Sequence, residues 1–286
     1  MTQNEAPRPR PLHIFAQTEI TRGVSPVEAH EELQRLPGGA GSRMTFFSGA
    51  NAKDLMKRED MRLRITGLRP AVFCSLQVAS DIKNNRPHMA RGLILPRDFL
   101  QHETYGSLID PDLLLNPKGF YLPWGKIPAC KDMIKATMGR SVFLRPASPL
   151  KPFTGFCVDI DKLEAEHLSR SRTDAINPEE MTFVAPGQAL PPIEYRVWVI
   201  DNEPVTSAGY SWTGIGTPRG QAPDSVYQAA REIARQLQYR EDCYTADFVV
   251  IEGRAKLVEL NAISTSGWYP DMSSLSVFRA LDAILI

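Results

Sequence analysis

Apolar and polar positions alternate with a two-residue period over much of the second half of the chain. The stretches 141–146 (SVFLRP), 153–160 (FTGFCVDI), 181–186 (MTFVAP), 193–201 (IEYRVWVID), 204–212 (PVTSAGYSW), 244–253 (YTADFVVIEG) and 255–261 (AKLVELN) are short and rich in β-branched and aromatic residues, so they predict strands. Helices are expected between them over 161–170 and 223–238, the second with Val226, Ala230, Ile233, Ala234 and Leu237 on one apolar stripe. Two strand pairs read as hairpins, turning at Asp201-Asn202-Glu203 and at Glu252-Gly253-Arg254.

The first half is more broken. A strand is expected at 12–17 (LHIFAQ), and a helix over 25–36 with Ser25 as N-cap and Pro26 in its first turn. Strands are expected at 44–49 and 70–79, a helix at 52–60, a loop at 110–124, and a helix at 127–139 capped by Gly139. The division expected is a tail and helix (1–42), a small α/β lobe (43–125) and a β-rich domain (126–286).

Composition removes several function classes. Lys and Arg total 33, as do Asp and Glu, so no net charge favours nucleic acid or an anionic membrane. The partly basic stretch 168–180 carries enough acid to read as a solvated surface loop. Cys74, Cys130, Cys157 and Cys243 form no CxxC, the pattern of reduced thiols in a cytoplasmic protein, and the five histidines lack metal-ligand spacing. No apolar run is long enough to span a membrane. The glycine-rich loop at 37–42 lacks the Gly-Lys-Ser/Thr ending that cradles phosphate.

The chemistry-bearing residues gather in the β-rich half. In "VELNAISTSGWYP" (258–270), strict alternation puts Val258 and Leu260 on one face, Glu259 and Asn261 on the other. The hairpin brings Asp247 beside that strand end. Three oxygen ligands, two of them anionic, suit Mg²⁺ with substrate phosphates; the alternative is a strand cap with a wet edge. Arg145, Lys151 and Arg196 form a cationic set in apolar or proline-rich surroundings, suited to a polyanion. Glu194, two residues before Arg196, is either its internal partner or part of the same cleft. Ser264, Ser266 and the backbone of Gly267 follow the acidic strand, as an acceptor-holding turn or as a turn using Ser and Gly for its dihedrals. Trp268 and Tyr269 wall a pocket or pack in the core.

This order of elements, from "VFLRPASPLKPFTG" through "IEYRVWVID" to "DFVVIEGRAKLVELNAISTSG", resembles the ATP-grasp superfamily, most closely an arginine-rich branch common in bacteriophage genomes. The resemblance covers about residues 120–286 and implies an α+β fold. Two α+β lobes with antiparallel sheets would clamp ATP, preceded by a smaller pre-ATP-grasp lobe. It implies that Arg145 stands where a lysine is more usual, and that Lys151 and Arg196 contact phosphates beside Glu194. The backbone around Val184 and Ala185 would meet adenine, and Asp247, Glu259 and Asn261 would hold Mg²⁺. Ser264, Ser266 and Gly267 would border the acceptor. The implied activity is an ATP-dependent carboxylate–amine (or –thiol) ligase working through an acyl-phosphate on small-molecule or peptide substrates. A kinase of a hydroxyl group and a nucleotide-binding module without catalysis are the alternatives. Oligomeric state has no readable signal in the chain.

Overall fold

The computed structural model describes residues 11–21, 24–36, 41–95, 100–174, 176–211, 219–238 and 243–285. The expected tail (1–10), most of the glycine-rich loop (37–40) and Trp212 lie outside these. Among the described residues, three sheets organise the fold.

The first sheet is parallel and three-stranded, with β1 (Leu12–Gln17) between β2 (Arg43–Phe47) and β3 (Arg69–Phe73). Its centre strand is buried at every position, because both faces of a parallel sheet are covered. The covering helices are α1 (Pro26–Gln34), α2 (Ala52–Thr66), α3 (Leu76–Asn85) and the one-turn α4 (Pro87–Ala90). Ser25 caps α1 as its sequence implies, its hydroxyl accepting from the Glu28 amide at 3.4 Å. The strand expected over 70–79 ends at Phe73 instead, and its second half opens α3. Ala79 and Ile82, three apart, are the buried positions of α3, so a helical period replaces the strand period after Ser75.

A short helix, α5 (His102–Gly106), leads to the second sheet. That sheet is antiparallel in the order β4-β7-β5-β6, with β4 at Phe120–Pro123, β5 at Ser141–Pro146, β6 at Phe156–Asp159 and β7 at Met181–Pro186. The loop expected over 110–124 therefore contains a strand. It is four residues long, and as an edge strand it tolerates Pro123. Helices α6 (Lys131–Met138) and α7 (Leu163–Thr173) pack on this sheet through Ile134, Leu163 and the side chains of Val142, Leu144 and Val184.

The third sheet is antiparallel in the order β11-β10-β8-β9: β8 is Glu194–Ile200, β9 Glu203–Tyr210, β10 Cys243–Ile251 and β11 Arg254–Asn261. Its hairpins turn where expected. Asp201 and Asn202 have φ of 55° and 62°, Glu252 and Gly253 of 50° and 75°, the paired positive values of the turn that matches strand twist. Helix α8 (Asp224–Leu237) lays its expected stripe on one face of this sheet, against Val197, Val199, Phe248 and Leu257. On the opposite face, Trp198, Ile200 and Ala208 share a core with Leu12 and Ile14 of the first sheet and with α9 (Ser274–Ile284). Arg69 of β3 is ion-paired with Asp282 of α9.

β1, before residue 43, is the central strand of the first sheet, and β4, before residue 126, pairs with β7 in the second.

Candidate active site

The third sheet supplies a fixed row of charges. Two-residue alternation puts Glu194 and Arg196 on the face of β8 away from α8. Arg196 lies opposite Asp247 on β10, and Asp247 lies opposite Glu259 on β11, so three neighbouring strands carry Arg196, Asp247 and Glu259 side by side. Arg196 grips Asp247 with both prongs of its fork, Nε to Oδ1 at 2.7 Å and Nη2 to Oδ2 at 2.6 Å. Asp247 is fully buried. The Asn261 amide bridges the two carboxylates, donating to Asp247 Oδ2 at 3.2 Å and to Glu259 Oε1 at 3.0 Å.

A bulge corrects the alternation expected at the end of β11. The ladder runs Asp247 to Glu259 and then Phe248 to Leu257, which leaves Val258 without an opposite residue. Leu260 consequently packs under α8, while Val258 lines the neighbouring cavity; the two do not share a face. The bulge also frees the Val258 carbonyl, which accepts from Arg145 Nη1 at 3.0 Å.

The second sheet contributes the other cations across the gap. Arg145, near the end of β5, places Nη2 3.4 Å from Glu259 Oε2. Lys151, held at φ 46° in the turn that follows, donates to Glu259 Oε1 at 2.6 Å. Burial pushes the Glu259 carboxyl upward, but Lys151 and Arg145 outweigh it and hold its pKa below the usual carboxylate range. Glu194 shifts the other way: burial first, then the negative charges of Asp247 and Glu259, raise its pKa, even though it accepts a 2.6 Å bond from the Tyr210 hydroxyl. Tyr210 stacks on Tyr269 at 4.4 Å between centroids, and the Arg196 guanidinium lies 5.5 Å and 5.4 Å from the two rings.

Between the two sheets is a cavity of about 550 Å³, walled by Phe143, Phe156, Leu190, Pro191 and Pro192 and carrying Arg145, Lys151, Glu194, Arg196 and Glu259. An apolar wall with a few convergent charges is the ordinary make-up of a small-molecule site.

The other expected site residues fall in three places. Val184 and Ala185 sit inside β7 and are fully buried, in register with Leu144 and Phe143 of β5. Gln188 and residues 190–192, just beyond them, line the cavity. The Ser264 hydroxyl accepts from the Ile94 amide at 2.8 Å, and the Ser266 hydroxyl is bonded to Thr245 at 2.6 Å and to the Ala262 carbonyl at 2.7 Å. Both hydroxyls thus join the serine turn to its own surroundings. The Gly267 carbonyl is next to the charge row, accepting from Arg196 Nη1 at 3.3 Å. Trp268 is a core residue, edge-on to Phe73 at 4.8 Å. The sequence pattern does not single out the apolar wall. Phe143 carried a usable signal, since it lies two residues before Arg145 on the same strand face.

The residues fit a hard divalent cation. Among the described residues no three His, Cys, Asp or Glu side chains gather as a metal cluster, but this set has two carboxylates and an amide. Each carboxylate offers about four lone-pair sites, so pairing with Arg196 or Lys151 leaves acceptor capacity. Asp247, Glu259 and Asn261 would hold Mg²⁺.

The family model of the ATP-grasp domain, R-2-K clade family 3, matches residues 117–281, more than half of the chain, and the chain belongs to that family. Its fold is that of ATP-grasp ligases. It is similar to D-cycloserine synthetase DcsG, with a TM-score of 0.53 at 13% identity, covering 96% of this chain and 99% of that one. A RimK domain ATP-grasp protein from Sphaerobacter thermophilus DSM 20745 gives a TM-score of 0.54 at 13% identity, with coverage of 96% and 99%. The macrocyclase MdnC from Microcystis aeruginosa MRC, bound with its precursor peptide MdnA, gives 0.52 at 12% identity, with coverage of 96% and 99%. No curated protein matches the chain. Among the described residues no helix is long and apolar enough to cross a membrane.

Proposed function

We propose that the protein is an ATP- and Mg²⁺-dependent ligase that joins a carboxylate to an amine (or thiol) through an acyl-phosphate. The observation that carries this reading is the convergence of Arg145 and Lys151 from one sheet on Glu259 of the other, across a cavity that also holds Arg196 and Glu194. The apolar wall of Phe143, Phe156 and residues 190–192 takes the base. The backbone around Val184 and Ala185 meets the adenine, and Glu194 belongs to the same nucleotide cleft.

When bound, Mg²⁺ supplies charge neutralisation on the phosphates. Arg145, Lys151 and Arg196 orient the triphosphate and stabilise charge on the transferring group. In the first half-reaction a carboxylate oxygen of the donor bonds to the γ-phosphorus, and the bond to the β,γ-bridging oxygen breaks to release ADP. In the second, the amine nitrogen bonds to the acyl carbon, inorganic phosphate leaves and the amine loses a proton. No side-chain nucleophile is required. The acceptor lies beside Gly267, with Ser264 and Ser266 holding the shape of that turn. Small molecules and peptides are both within reach of this chemistry: DcsG is a D-cycloserine synthetase, and MdnC is a macrocyclase seen with a precursor peptide bound.

The test is ADP release measured with mixtures of amino acids and peptides as carboxylate and amine sources. ADP that requires the carboxylate, and that accumulates over many turnovers only when the amine is also present, supports the ligase. Carboxylate-independent ADP with a stable phosphorylated alcohol turns the assignment to a kinase, and nucleotide binding with no ADP under any mixture removes catalysis altogether.

A further inference from the structure

The short segment between the first two sheets places a polar aromatic layer directly behind Arg145. This segment lies outside the residues that match the family, 117–281. The backbone amide of His102 donates to the Ala147 carbonyl at 3.1 Å, so α5 is fastened to the chain just after β5, on the way to Lys151. His102 Nδ1 is 2.7 Å from the Tyr121 hydroxyl, and its ring lies 4.1 Å from that of Phe183, the residue opposite Arg145 on β7. Tyr105 is 1% exposed and edge-on to His102 at 5.1 Å.

The Tyr105 hydroxyl is buried and lies within direct reach of the Arg145 guanidinium and the Leu260 amide, though at ideal hydrogen-bond geometry to neither. A buried hydroxyl is costly unless something takes over the hydrogen bonds it makes in water, which fixes the groups it meets against it. A cavity of about 10 Å³ bordered by His102, Tyr105, Asn116, Arg145 and Val258 lies beside it, close to the size one water occupies. The phenol and the guanidinium thus face each other beside a space that admits no more than a single water.

We infer that Tyr105 is a positioning residue for Arg145: its hydroxyl, set directly against the guanidinium, holds it aimed into the nucleotide cleft. His102 and Tyr121 hold the Tyr105 ring in place. An arginine needs such a brace more than a lysine does, because its planar fork must be fixed in rotation as well as in position. The inference rests on the reading of the cleft as an ATP site with Arg145 on the phosphates.

The experiment compares Tyr105→Phe with the unaltered protein, measuring the dissociation constants of the non-hydrolysable ATP analogue AMPPNP (with Mg²⁺) and of adenosine. The substitution keeps the ring and removes only the hydroxyl. The expected result is a roughly five- to tenfold loss of AMPPNP affinity with adenosine affinity unchanged, since only phosphate binding depends on Arg145. His102→Gln, which keeps a polar group beside Tyr121, should give the same pattern in weaker form. Unchanged AMPPNP binding in Tyr105→Phe overturns the inference, as does an equal loss for both ligands, which marks a purely structural role. If the unaltered protein binds no AMPPNP, the reading of the cleft itself is what fails.

Discussion

The two antiparallel sheets that face each other across the cleft hold their charges in different ways. In the third sheet, Arg196 and Asp247 are register partners on adjacent strands, bonded twice, with Asp247 fully buried. In the second, Arg145 and Lys151 find their carboxylate partner across the gap, at Glu259, and the Lys151 side chain is one-third exposed. One set of charges is built into a ladder and the other reaches over a space. The first is therefore fixed before any ligand arrives, while the second responds to what enters between the sheets. A clamp on a polyanion needs both: a rigid floor, and cations that can exchange a carboxylate for phosphate oxygens.

Substitutions on the two sides should separate sharply. Asp247→Ala strands a buried guanidinium, and removing one partner of a buried pair typically costs about 3–5 kcal/mol. Urea unfolding should show that loss together with loss of nucleotide binding. Lys151→Met removes a partly exposed cation from a turn, so stability should change by less than about 1 kcal/mol. Binding of AMPPNP should nevertheless weaken about tenfold, the loss of one charge-assisted contact. If Asp247→Ala were as stable as Lys151→Met, the distinction between floor and clamp would disappear.

A smaller effect is expected from pH. Burial, then the nearby charge of Arg145, lowers the His102 pKa to about 3. The unfolded chain takes up that proton near pH 6.5 and the folded chain only far below, so stability is lost as pH falls from about 6.5 towards 3. Glu259 adds to this in the same direction, since its lowered pKa gives stability above its unfolded value that disappears on acidification. His102→Gln should flatten part of the fall in unfolding free energy between pH 7 and 5. A variant with the full slope of the original would show that His102 does not contribute.

Much of this arrangement was legible in the chain. The β-rich half, both hairpin turns and the α8 stripe follow from local period and turn chemistry, which short-range sequence encodes directly. The grouping of Asp247, Glu259 and Asn261 followed from the hairpin, because an antiparallel pair makes its two ends neighbours. What stayed hidden depended on non-local pairing. Val258 leaves the alternation only because β10 and β11 pair with a bulge, and β4 becomes a strand only because β7 offers it an edge. Likewise, Ser264 and Ser266 look available in sequence, yet their hydroxyls meet Ile94 and Thr245, positions distant in the chain. The polar layer of His102 and Tyr105 carries no sequence period that ties it to Arg145; proximity in the fold alone makes the connection.

On the proposed function, Glu259 is shared between cations from the facing sheet and Mg²⁺ brought with ATP. Calorimetric titration of AMPPNP with and without Mg²⁺, on the original chain and on Glu259→Gln, tests it most directly. One nucleotide per chain is expected, binding at least tenfold tighter with Mg²⁺, with that increment lost in Glu259→Gln while the fold is retained. Nucleotide binding that ignores Mg²⁺ in the original chain, or a full Mg²⁺ increment in Glu259→Gln, would contradict it.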